Sequence, residues 1–457
     1  MARKRKSTGA LIAVLAIILA ALMLLAIFLE AGRSPANPTE STPTVTDAPT
    51  DPPTDPPTDP PTEPPVVKEA TASIGAVGDI LMHDGVRNSG KQSDGSFNFD
   101  YLFQYLKPYL TKLDYTVANL ETTLCGLDNG YEYNGYPNFN APDSIVDSAK
   151  AAGFDMLLTA NNHMYDTRHK GFIRTQEVLI EKGMDYLGTR LKEDAPTYLV
   201  KDINGIKIGM LCYTYNTSQN SEGKIALNGI PLSTADSKLV NSFNAGKLDS
   251  FYAKVEKELE AMKKEGAEAT VLFIHWGEEY QTSPNKTQKK IAQALCDLGI
   301  DVIVGDHPHV VQPVTLLESS TDENHKTLCL YSTGNTVSNQ RKTNVLKSGH
   351  TEDGVLFSFT FAKYSDGTVL VESTELIPTW VNMYSKSGHR YYDILPMDHA
   401  TETWKNDLGI SDSTLKLCQE SYGRTMKLVA DGLTDANAYF SANQAKVEAE
   451  IGVQNDG

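Results

Sequence analysis

Five times in this sequence an apolar, strand-like run stops at residues that bind metal ions or move protons. ASIGAV (Ala72–Val77) leads through Gly78 to Asp79, and YTVA leads to Asn119 and Glu121. DMLLTA leads to Asn161, Asn162, His163 and Asp166; TVLFI leads to His275, Trp276 and Glu278; DVIV leads through Gly305 to Asp306, His307 and His309. Amphipathic helical patterns lie between these runs at Asp143–Ala152, Gly171–Lys182, Phe251–Glu265 and Lys286–Leu298. Ile206–Tyr213 and Thr327–Tyr331 add strands, and Val355–Phe361 with Val369–Leu376 suggests a hairpin. Strands alternating with helices predict an α/β sandwich covered on both faces. In such sheets ligands bind outside the carboxyl ends of the strands, so the polar residues are expected to converge on one site.

The residue types at these ends define the chemistry. Four of the ten histidines (His163, His275, His307, His309) sit there, beside carboxylates and amides. Imidazole nitrogen with carboxylate and amide oxygen, and no thiolate, suits Mn, Fe, Co or Zn. Two such ions a few Å apart clamp a phosphoryl or similar group and lower the pKa of a bridging water. Asp79 or Glu121 is the candidate bridging carboxylate. In His307-Pro308-His309 an extended, alternating backbone is expected to send both imidazoles to one side, stiffened by the proline. In NNHxxD, Asp166 falls one helical turn after His163, where a carboxylate supports an imidazolium acting as general acid. Each element has an ordinary alternative. Asp79 also suits a turn or helix cap, Glu121 a solvated loop, and His275 a hydrogen-bonded core position. Their joint occurrence at successive strand ends is what points to a site.

The N-terminus is a different kind of chain. Gly9–Leu29 carries no charge, and a helix of about twenty residues spans the roughly 30 Å hydrocarbon core. Arg3, Lys4, Arg5 and Lys6 precede it, which places residues 1–8 in the cytoplasm and everything after the run outside. A cleaved signal peptide is the competing reading, but the run is long for one and Phe28–Gly32 makes a poor cleavage site. No Cys follows to receive a lipid. Residues 30–67 form a Pro/Thr/Asp linker with tandem DPPT units and the acids Glu40, Asp47, Asp51, Asp55, Asp59 and Glu63. Proline excludes helix and sheet, so an extended, disordered spacer of the order of 100 Å is expected. A globular domain is assigned to 68–395 and a helical extension to 396–457, with Ser411–Tyr439 packing on the domain. The expected location is the cell membrane, single-pass, with the domain extracytoplasmic. A net charge of −17, from 41 Lys+Arg against 58 Asp+Glu, argues against nucleic acid as a partner. Five scattered cysteines without CxxC spacing supply no disulfide framework, although one accidental pair stays open.

GDILMHD (78–84), ANLETTL (118–124), ANNHMYD (160–166), HWGEEY (275–280), GDHPHVVQ (305–312) and YSTGN (331–335) occur in this order. Together they resemble the CapA family, the poly-γ-glutamate capsule-synthesis proteins of the calcineurin-like metallophosphoesterase superfamily, over about residues 72–380. The resemblance implies a four-layer αββα metallophosphoesterase-like sandwich. It implies two divalent metal ions held by Asp79, Glu121, Asn162, His275, His307 and His309, with His163 and Asp166 protonating a leaving group. Two departures stand out. The superfamily usually opens with D-x-H, whereas Leu81 follows Asp79 at that spacing and His83 sits four residues on. Where many members have GDxxD, Glu121 is the acid nearby; the missing D-x-H histidine makes Asn119 and His83 candidates for its vacated ligand place. The resemblance also implies work in capsule biosynthesis or export beside membrane-bound polyglutamate synthase partners, on an anionic polymer. A phosphoester substrate unrelated to capsule is the other reading of the same residues. The acidity sits badly with holding a polyanion unless metals or local bases such as Arg87, Arg168, Arg341 and Lys342 offset it.

Overall fold

The computed structural model describes residues 66–217, 224–398 and 402–455. The basic segment 1–8, the apolar run 9–29 and nearly all of the linker 30–67 lie outside the described residues. Among the described residues no helix is long and apolar enough to cross a membrane.

Two sheets carry the domain. The first contains β1 (Lys68–Ile80), β2 (Tyr115–Leu120), β3 (Met156–Leu158) and β4 (Asp185–Leu187), all parallel. It continues on the other side of β1 through β15 (Asp353–Tyr364), β16 (Val369–Lys386) and β17 (His389–Pro396), an antiparallel meander, while β14 (Asn335–Val337) pairs in parallel with the end of β1. The second sheet is built on parallel β6 (Ile206–Tyr215), β10 (Ala269–His275), β11 (Val302–Asp306) and β13 (Lys326–Leu330). Antiparallel β5 (Tyr198–Ile203) and β12 (Val314–Glu318) close its two sides, and short β9 (Ser242–Phe243) pairs with β6. A two-stranded ribbon, β7 (Ala226–Leu227) with β8 (Ile230–Pro231), stands apart.

Side chains alternate between the two faces of a strand, and that alternation builds the layers. Val117 of β2 packs in a central cluster with Ile74, Met210, Val271, Phe273 and Val304, so the two sheets face each other across it. The neighbouring Ala118 joins Ile145, Val146, Ala149 and Leu179, which lie on the helices Ser144–Ala152 and Arg168–Glu181. Leu272 and Ile274 of β10 point the other way, to Val255, Met262, Ile291 and Leu295 on the helices Leu248–Lys264 and Lys286–Asp297. Helix, sheet, sheet, helix is the resulting order of layers. Local signals place the helices: Asn285 and Gln288 form a reciprocal capping box, and Gly153 ends its helix at φ 109°.

The YTVA run opens β2, which continues through Asn119 and Leu120, whereas β4, β5 and β12 have no counterpart in the sequence expectation. β4 is three residues long, and β5 and β12 are half-exposed edges, so none shows the continuous apolar run that marks a central strand. The helix expected over Ser411–Tyr439 runs over Asp412–Asn455. Val429, Ala436 and Phe440 of this helix enter the central cluster, and it packs against β16 of one sheet and β12 of the other. It therefore closes one side of the sandwich. All five cysteines are buried and unpaired.

Candidate metal centre

The parallel strands of both sheets end at the same place, and glycines let them come this close. A Cβ on Gly78 would stand 1.8 Å from the Gly334 carbonyl oxygen, and one on Gly305 would stand 2.1 Å from that of Tyr331. Each glycine directly precedes a buried acid, Asp79 and Asp306. Asp79 pairs in register with Asn119 on one side and Asn335 on the other, and His275 pairs with Asp306.

From these ends the side chains meet. One oxygen or nitrogen each from Asp79, Glu121 and His275 lies within 4.8 Å of the others, and the same holds for Glu121, His307 and His309. Glu121 belongs to both groups. Both of its carboxylate oxygens, and Nδ1 of His307, are buried without a hydrogen-bond partner. Buried polar atoms are almost always paired, so orphaned atoms on two residues of this cluster fit a cation. Asn162 Oδ1 lies 2.8 Å from His275 Nε2, and Asp79 Oδ2 lies 3.0 Å from His309 Nδ1. The site thus gathers Asp79, Glu121, Asn162, His275, His307 and His309.

The backbone at the two last histidines differs from the extended geometry expected of His-Pro-His. His307 has φ 97° and His309 φ 56°, both in the left-handed region that side chains rarely adopt. The imidazoles converge through this strained turn and not through strand alternation. Asn335 supports it: its Nδ2 donates to the His309 carbonyl at 3.3 Å and to the Thr351 carbonyl at 2.9 Å.

The family described as "Bacterial capsule synthesis protein PGA_cap" matches residues 73–340, the stretch that supplies every one of these side chains. The chain belongs to this family. Two curated relatives align with it. "Capsule biosynthesis protein CapA" of Bacillus anthracis is 31% identical over 303 residues, 66% of this chain and 66% of the relative. "PGA biosynthesis protein CapA" of Bacillus subtilis (strain 168) is 27% identical over 293 residues, 64% of this chain and 68% of the relative. The matched stretch thus spans about two thirds of each relative. A solved structure described as a candidate 5′-nucleotidase of Staphylococcus aureus shares 13% identity at a TM-score of 0.41, over 74% of this chain and 58% of that one, a loose likeness that decides nothing about the site.

In this PGA_cap chain, burial sets the electrostatics. Burial and the neighbouring Asp79 charge push the Glu121 carboxyl well above the usual range, and burial with the same charge raises Asp306. Burial would also raise Asp79, but the hydrogen bond and charge of His309, with the Asn119 amide, hold it low. Burial lowers His275 to about 3 and takes His307 well below its ordinary value, so both imidazoles are neutral, the form that ligates. Crowded acids and neutral imidazoles with orphaned lone pairs are the surroundings that a divalent cation would relieve.

His163 and Asp166 sit beside this cluster. Nδ1 of His163 meets Asp166 Oδ2 at 2.8 Å, and the Phe139 amide donates to the same oxygen at 2.7 Å. The Phe139 ring meets the His163 ring edge-on at 4.8 Å and the His83 ring at 5.1 Å. His83 belongs to neither ligand group. Its Nδ1 accepts the Asn339 backbone N–H at 3.3 Å, and burial lowers its pKa to about 4, so it stays neutral. Asn119 turns its Nδ2 to Asp79 Oδ1 at 2.7 Å and so presents a donor to the cluster. Leu81, at the place of the D-x-H histidine, is core, 1% exposed. Sequence reasoning assigned no role to Phe139, Asn161 or Asn335. Asn161, the first asparagine of NNH, and Asn335, the last residue of YSTGN, stood within motifs, and nothing in the loop around Phe139 marked it.

Proposed function

We propose that this chain is an extracytoplasmic capsule-biosynthesis protein, held at the membrane by residues 9–29, with a strand-end site for two divalent ions and a hydrolase-type reaction. The observation that carries the reading is Glu121. It is shared by two ligand groups, and both its oxygens are buried without a hydrogen-bond partner, Oε1 standing 3.4 Å from His275 Nε2. Asp79, His275 and Asn162 would hold one ion, and His307 and His309 the other, with Glu121 between them. Such ions supply Lewis acidity at an oxyanion group and a water of lowered pKa.

The chain's own residues do the rest. Asp166 takes the Nδ1 hydrogen of His163 and fixes the ring, which leaves Nε2 to hold a proton for a departing oxygen. Burial raises Asp166, against the His163 hydrogen bond and charge that lower it. Phe139, packed on the ring edge, keeps the imidazole from turning away. The relatives named for capsule and poly-γ-glutamate biosynthesis favour an anionic polymer as substrate, handled beside a membrane-bound synthase.

A second reading, a surface phosphoesterase unrelated to capsule, rests on the same His163–Asp166 pair, which would serve a departing oxygen of any ester. Metal analysis and an ester screen on the full-length chain, followed by surface-polymer measurement in variants, test these readings. About two ions per chain and ester cleavage lost in His163→Ala support the hydrolase site. A chain without metal overturns the site. Loss of surface polymer in both His163→Ala and His307→Ala supports catalysis in capsule formation, and unchanged polymer in both leaves the phosphoesterase.

A further inference from the structure

We infer that Asn161 is a positioning residue that locks the metal-ligating carboxylates to the proton-donating loop. The inference rests on the metal-centre reading above and concerns two amides outside the ligand set.

Asn119 and Asn161 are 2% and 0% exposed, and Asn119 turns an N–H, not an oxygen, to the cluster. Nδ2 of Asn119 donates to Asp79 Oδ1 at 2.7 Å and lies 3.4 Å from His275 Nδ1. The Asn119 carbonyl oxygen accepts from Nδ2 of Asn161 at 3.1 Å. An amide can be turned over with little change of shape, but here both ends forbid it. Reversed, Asn119 would point its oxygen at the Asp79 carboxylate and its NH2 at the Asn161 NH2. Asn161 therefore sets which face of Asn119 the cluster receives.

Asn161 spends its remaining capacity on two other parts of the site. Its Nδ2 donates to the carbonyl of Leu120, the residue before Glu121, at 2.9 Å. Its Oδ1 accepts the backbone N–H of His163 at 3.2 Å. One buried side chain thus joins the end of β1 through Asn119, the end of β2 at Glu121, and the loop after β3 that carries Asn162 and His163. Aspartate there would offer only acceptors to two acceptors, and an apolar residue would leave all three ends loose. Asn119 being neutral also matters, since the cluster already holds the carboxylates of Asp79, Glu121 and Asp306.

The test is titration of the full-length chain with Mn2+ by calorimetry in wild type, Asn161→Ala, Asn119→Ala and the double variant, with melting curves to establish folding. Each single change is expected to weaken Mn2+ binding about 10–100-fold, as for other residues that orient ligands. The double variant is expected to bind no more weakly than the weaker single, because both changes break one relay. A merely structural role would not make the two losses redundant in Mn2+ affinity. Should Asn161→Ala fail to fold, Asn161→Ser takes its place in the cycle. Wild-type affinity in a folded Asn161 variant, or losses that multiply, overturns the inference while leaving the metal centre standing. A wild type that takes up no Mn2+ overturns the metal-centre reading and this inference with it.

Discussion

His307 combines two demands that pull apart. Its Nδ1 is buried without a partner, and its backbone sits at φ 97°, where a side chain is strained by about 1–3 kcal/mol. Glycine relieves the backbone and removes the imidazole, while alanine removes the imidazole and keeps the strain. Metal-free His307→Gly is therefore expected to be more stable than His307→Ala by about 1–2 kcal/mol in chemical denaturation. Equal stabilities would mean that the turn is not strained in solution. The same residue shows what a sequence discloses and what it hides. His-Pro-His at the end of an apolar run announced two imidazoles at one strand end, because residue type and spacing are local properties. The left-handed turn that aims them was not legible. It depends on Asn335, which arrives from a separate strand to hold the His309 carbonyl.

At the scale of elements, the strands ending in site residues were legible because burial on both faces makes them uniformly apolar: every residue of β2 and β11 is buried. The edges were not, because β5 and β12 mix exposed and buried positions without a clean period. The long C-terminal helix was legible as a helix that packs on the domain, but where it packs was not. That place is set by contacts far away in sequence: Arg424 makes two hydrogen bonds to Asp353, at 2.9 and 2.7 Å, and Gly432 lies so close to strand β12 that a Cβ would stand 1.9 Å from the Val314 carbonyl oxygen. Phe440, 3% exposed, seats the helix in the central cluster. Phe440→Ala is expected to cost about 3–5 kcal/mol, read as an earlier unfolding midpoint with an unchanged denaturant slope. A loss under about 1 kcal/mol would show that the helix is a loose appendage.

For the whole molecule, metal and protons are linked. In the metal-free fold Glu121 is held well above the usual carboxylate range by burial and Asp79, so it keeps its proton where the unfolded chain has lost it. The sign follows: Glu121 contributes stability at low pH, and that contribution is lost as pH rises through its folded value. A cation needs the ionised carboxylate, so its binding expels this proton and is favoured by higher pH. His275 and His307 are already neutral in the metal-free fold and add nothing to the difference. The rise in melting temperature on adding Mn2+ is accordingly expected to grow as pH is raised above the ordinary carboxylate range. A constant rise would place the ion away from Glu121.

The helix that closes the sandwich has a consequence in time. Its anchoring residues, Val429, Ala436 and Phe440, follow in sequence every strand whose apolar face they cover. A chain made from its N-terminus would deliver both sheets first and their cover last. Until Phe440 emerges, the seam between β12 and β16 remains open to water and to other chains. Quality control by chaperones and proteases would therefore have most to act on late in synthesis, and a chain stalled a few dozen residues short would be the species most prone to aggregate.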